Sequence, residues 1–117
     1  MTTFDHFTVS VRKVSALTRD RFAVTVRVCV TSPAPDAVNG KTRISWEPWL
    51  LSVRGMSPRT PAEDLTGLPG VLPPSAYYQS GDCGQGIIPF RVPEDRQPTA
   101  VLYRNGQGDV ANFPIDP

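Results

Sequence analysis

The sequence predicts an all-β fold, an antiparallel sandwich of about seven or eight short strands. Three observations carry that reading: period-two alternation of β-branched residues, a high content of helix-breaking residues, and turn dipeptides recurring between short apolar runs. The chain has 117 residues with thirteen prolines and nine glycines. Both residue types interrupt helix interiors. That length suits one domain, so residues 1–117 are read as a single unit.

Residues 22–31 are the strongest strand signal. Phe22, Val24, Val26, Val28 and Val30 share one face, and Ala23, Thr25, Arg27, Cys29 and Thr31 the other. A half-buried strand needs this alternation, whereas a helix would scatter the valines around its circumference. Phe7, Val9 and Val11 repeat the pattern more weakly, and the polar turn at residues 18–21 makes the two segments a hairpin. Pro33 and Pro35 end the second strand. Asn39-Gly40 supplies a turn. Residues 42–53 offer Ile44, Trp46, Leu50 and Val53 to a core, with Pro48 as an edge position or bulge. Residues 55–74 read as a long irregular connection, with a short helical turn at 61–65. Residues 86–92 place Ile88, Phe90 and Val92 on one face. Residues 99–104 and 110–115 complete the set, joined by the hairpin loop 105–109. About seven short strands with turn signals between them point to a β-sandwich, with a small β-barrel as the alternative.

Cys29 and Cys83 are 54 positions apart, and no neighbouring Cys or His completes a zinc site. Two buried free thiols are one reading. A disulfide is preferred, because Cys83 stands in a Gly-Asp-Cys-Gly stretch while Cys29 lies within a strand. Closing such a loop removes roughly 4 kcal/mol of denatured-state entropy in the chain model. It also implies an oxidising compartment. Cys29 alternates with the valines, so the bridge is expected over the outside of the sandwich, pinning a loop to a sheet face.

Charge and hydropathy exclude other classes. Twelve basic and eleven acidic residues leave a net charge of +1, and no closely spaced basic stripe points to nucleic acid. No segment approaches the ~20 apolar residues of a membrane span. The beginning, Met-Thr-Thr-Phe-Asp-His, lacks the basic and apolar regions of a signal peptide. A signal or lipid anchor is therefore not expected within this chain.

The valine-alternating early strand, the Pro-rich middle and the run Gly86-Ile-Ile-Pro-Phe-Arg-Val-Pro93, followed by Pro98-Thr-Ala-Val-Leu-Tyr103, resemble a known family. It is that of the telokinin-like, immunoglobulin-fold domains of actinobacterial secreted proteins and lipoproteins, which includes the mycobacterial immunoprotective extracellular antigen. The resemblance spans residues 7–113. It implies an exported antiparallel β-sandwich, often tethered to the cell surface, and no catalytic residue or cofactor. Some members carry a similar cysteine pair and many lack it.

Candidate chemistry is sparse. His6, the lone histidine, stands beside Asp5. A triad is assembled in space, so pairing with Cys83 or a serine is conceivable, but a bridged Cys83 is no nucleophile. No nucleophile elbow, phosphate loop or zinc-protease motif occurs. Gly81-Asp-Cys-Gly-Gln-Gly86 precedes a strand rather than a helix, and reads as a turn. Carboxylates such as Glu63, Asp64, Glu94 and Asp95 show no Asp-x-Asp calcium spacing. No metal, cofactor or catalytic residue is expected. The aromatic residues are the richest signal. Trp46 fits the core, whereas Trp49, Tyr77 and Tyr78 form the candidate binding surface. The expectation is a non-catalytic, secreted or cell-surface binding or adhesion module whose partner is protein or carbohydrate. A structural or accessory domain of a surface assembly is the alternative, and an enzyme is the least favoured.

Overall fold

Valine and threonine dominate the first half of the chain, and they build a long hairpin. The computed structural model describes residues 1–18, 20–55, 60–61, 70–73, 75–92 and 96–115. Among these, β1 (Thr2–Thr3), β2 (Phe7–Thr18) and β3 (Arg21–Val30) lead the chain. They are followed by β4 (Thr42–Ser45), β5 (Trp49–Val53), β6 (Thr60–Pro61) and β7 (Ser75–Tyr78). The last three strands are β8 (Cys83–Arg91), β9 (Pro98–Arg104) and β10 (Val110–Pro114). No helix occurs among the described residues. Two four-stranded antiparallel sheets form, β1-β2-β3-β8 and β10-β9-β5-β6, with a separate two-stranded ladder β4-β7. Among the described residues neither four-stranded sheet closes on itself, and the two pack as a sandwich. The ten strands exceed the expected seven or eight, because β1 and β6 are two-residue additions at sheet edges.

The alternation of β3 does what its valines dictate. Val24, Val26, Val28 and Val30 are all buried, and Arg27 on the other face is exposed. In β2 the register shifts between Val11 and Lys13, leaving Arg12 as a bulged residue. The shift explains why the inward series runs Phe7, Val9, Val11 and then Val14, opposite Val24. Ile88, Phe90 and Val92 are fully enclosed. From the second sheet Trp49, Leu51, Val101 and Tyr103 join the same core. Each such side chain contributes on the order of 1.5–3 kcal/mol through removal from water.

Residues 42–53 are not one interrupted strand. The chain turns at residues 46–48, where the Trp49 N–H donates to the Trp46 carbonyl at 2.9 Å, and it changes sheets there. Both tryptophans therefore enter the core, although an odd separation on one strand would have opposed them. Asn39 and Gly40 have φ of 53° and 76°, and Val38 and Lys41 exchange backbone hydrogen bonds around them. This is the type I′ geometry that Asn-Gly favours. At the β2–β3 turn Asp20 accepts from Thr18 Oγ1 and Arg21 Nη1. The Thr18 hydroxyl above all, and then the Arg21 charge, hold the Asp20 carboxyl below its ordinary range against the opposing effect of desolvation. Of the connection at 55–74, residues 60–61 pair with β5. The helical turn expected at 61–65 lies, beyond Pro61, outside the described residues, as do Glu63, Asp64, Glu94 and Asp95.

Candidate functional site

The two cysteines are disulfide-bonded, with Cα atoms 4.0 Å apart. Cys83 is the first residue of β8 and pairs directly with Cys29 of β3. The Val30 N–H donates to the Asp82 carbonyl beside them, so the cysteines occupy a non-hydrogen-bonded position, where opposing strands approach closest. The bridge lies on the outer face, as the alternation required. It links two neighbouring strands of one sheet, which corrects the expectation of a loop pinned to a sheet. The glycine-rich stretch is likewise mostly strand, with only Gly81, at φ 95°, serving the turn.

Trp49, Tyr77 and Tyr78 do not form a common surface. Trp49 is 1% exposed and Tyr77 is 53% exposed. Burial of Trp49 corrects its assignment as a contact residue: β5 faces the core, and the ring packs edge-on to Tyr103 at 5.0 Å and stacks near Phe113 at 6.3 Å. Tyr78 is half-buried, its ring closing over Gly84. Tyr77 alone stands out in water, on the β4-β7 ladder.

What the fold does assemble is a cleft of about 240 Å³ at one end of the sandwich. Its walls include Phe7, Val28, Ile44, Trp49 and Tyr103, and its rim Asp36, Arg43, Glu47, Asn105 and Gln107. Trp49 Nε1 is buried without a hydrogen-bond partner among the described residues. Leaving such a donor unmet costs about 1–3 kcal/mol. Arg43 donates to Ser75 Oγ at 2.8 Å and meets Glu47 Oε1 at 3.4 Å, so the rim charges are partly paired.

Asn105 shapes the loop that forms one side. Its Oδ1 accepts from the Gln107 and Asp109 N–H groups, and its Nδ2 donates to Asp109 Oδ2 and to the Tyr103 hydroxyl. The amide thereby fixes a turn containing two glycines. Burial pushes the Tyr103 hydroxyl pKa up, the Asn105 hydrogen bond draws it down, and the Asp109 charge adds to the rise. Sequence reasoning read residues 105–109 as a hairpin loop and did not single out Asp36, Arg43 or Gln107. They are distant along the chain, and no spacing rule joins them.

No family model, curated protein or solved structure matches this chain.

His6 does meet a serine. Its Nδ1 lies 3.0 Å from Ser32 Oγ, and that hydroxyl donates to the Asp5 carbonyl at 3.1 Å. The imidazole and the Asp5 carbonyl thus share one serine hydroxyl. The Thr31 N–H also donates to the His6 carbonyl. The arrangement ties the approach to β2 onto the exit from β3. No group of three or more His, Cys, Asp or Glu side chains suited to a metal occurs among the described residues. No helix there is long and apolar enough to cross a membrane.

Proposed function

We propose that the protein is a non-catalytic binding module of the extracytoplasmic space, with the end cleft as its contact site. One observation carries the reading: polar and charged side chains from separate parts of the chain, Asp36, Arg43, Glu47, Asn105 and Gln107, rim a cleft of about 240 Å³ at one end of the sandwich. Asp36, Arg43 and Gln107 offer the acceptors and donors that a carbohydrate or a peptide backbone uses. The disulfide supports an oxidising location, and the likeness to telokinin-like secreted domains supports a secreted or surface-tethered protein.

Screening immobilised neutral oligosaccharides and peptides tests the reading, with tryptophan fluorescence following titration of any binder. The expected result is a ligand that shifts the emission and binds about tenfold more weakly to Arg43→Gln or Gln107→Ala, the loss of one good polar contact. Binders indifferent to both substitutions, or none, would turn the reading to a structural domain of a surface assembly. The near-complete burial of Trp49 favours that second reading.

A further inference from the structure

None of the strands carries an aspartate or glutamate; every strand-borne charge among the described residues is basic. Four of these basic residues, Arg12, Lys13, Arg21 and Arg27, come from β2 and β3. Lys13 pairs across to Thr25 and Arg27 to Ser10 on the outer face. Arg12, projected by the bulge, lines with Arg27 a groove of about 480 Å³ on that face, floored by Thr8, Ser10 and Cys29. Two residues along a strand span roughly 7 Å and neighbouring strands lie about 5 Å apart, so the three cations occupy one compact patch. Arg21, at the far end, is held by Asp20 at 2.8 Å. Arg12, Lys13 and Arg27 are exposed. A protein whose net charge is +1 thus concentrates positive charge on one sheet face.

From this geometry we infer that the outer face of the β1-β2-β3-β8 sheet is a docking surface for a linear acidic polysaccharide. The inference is independent of the end cleft, which lies at the end of the sandwich. Cations interleaved with the hydroxyls of Thr8, Ser10 and Thr25 match a polymer bearing both carboxylates and hydroxyls, and guanidinium groups bind carboxylates in bidentate fashion. No aromatic ring stands on this face among the described residues, as base stacking on single-stranded nucleic acid would use.

Polygalacturonate is the probe, with neutral dextran, duplex DNA and phosphatidylglycerol vesicles as comparisons, all titrated into the disulfide-bonded chain. Two triple variants remove equal charge: Arg12→Gln/Lys13→Gln/Arg27→Gln on the face, and Lys41→Gln/Arg54→Gln/Arg104→Gln away from it. The expected result is polygalacturonate binding that weakens with added salt, falls about tenfold or more in the face variant, and changes less than about twofold in the distal one. Absence of binding at low salt, equal loss in both variants, equal binding of dextran, or tighter binding of DNA or vesicles would each overturn the inference. Thermal unfolding of both variants at the wild-type temperature establishes that the losses are not losses of fold.

Discussion

Gly86 of β8 lies directly beneath the backbone of Leu72. A Cβ on Gly86 would come within 2.6 Å of the Leu72 nitrogen and 3.0 Å of the Gly70 carbonyl oxygen. Leu72 N–H donates to the Ile87 carbonyl, and Ile87 N–H to the Gly70 carbonyl, so residues 70–72 lie along the outer edge of β8. Gly86 and Gly84 face the core opposite Val26 and Val28, where a β-branched residue would ordinarily stand. Their missing side chains admit Leu72, which is 1% exposed and accepts a hydrogen bond from Trp46 Nε1 at 2.7 Å.

Gly86→Ala is therefore expected to destabilise the protein by about 2–4 kcal/mol, because backbone rather than a flexible side chain must move. Gly84→Ala meets the Tyr78 ring and a Leu72 methyl, which yield more easily, and should cost less. Gly106→Ala meets nothing within 4 Å and serves as the neutral control. Urea unfolding of the three variants ranks them; a Gly86→Ala value equal to that of Gly106→Ala would refute the account.

This pair also shows where sequence reading stopped. The inward valines of β3 and the Ile88, Phe90, Val92 series were legible, because local alternation and burial obey the same period of two. A glycine-rich run reads as a turn unless the crossing segment is known, and residues 70–72 come from a different part of the chain. Trp49 is a parallel case: Pro48 reads as an edge position or bulge within residues 42–53, whereas a full turn at 46–48 re-aims the ring. The basic patch was invisible to a search for clustered basic residues, since Arg27 joins Arg12 and Lys13 only through antiparallel pairing. The end cleft draws on residues near positions 36, 43–49 and 103–107, a grouping made by topology alone.

The disulfide lies outside the core, so its loss removes a constraint without opening a cavity. Cys29→Ala/Cys83→Ala is expected to lower stability by about 4 kcal/mol in the chain-entropy model, for a separation of 54 residues. The melting temperature should fall on the order of 15 °C, with the β signature in far-UV circular dichroism retained at 25 °C. A variant melting within about 3 °C of wild type would show that strand pairing already restricts the unfolded chain.

Thr42, fully buried at the start of β4, accepts the Ala34 N–H through Oγ1 at 3.1 Å. Thr42→Val keeps the volume but strands a buried N–H, an expected loss of about 1–3 kcal/mol. Thr42→Ser keeps the acceptor and loses one methyl, for about 1 kcal/mol. The order of the two variants in chemical denaturation is the test: valine equal to or better than threonine would show that the hydrogen bond contributes nothing net.

Tyr103 gives the fold a predictable alkaline weakness. Burial, its largest influence, and the Asp109 charge raise its pKa above the ordinary 10.0, outweighing the Asn105 hydrogen bond. The folded state thus holds the phenol proton more tightly than the unfolded state does. Its contribution is fully present below pH ~10, and is lost progressively as pH rises from there through the folded-state value. Denaturant midpoints should therefore fall as pH rises above about 10, with a slope that Tyr103→Phe reduces. Tyr103→Phe also removes the acceptor for Asn105 Nδ2, so its stability at neutral pH should be slightly lower than that of wild type. Crossing of the two stability curves as pH rises is the expected signature, and parallel curves would assign the alkaline loss to another group.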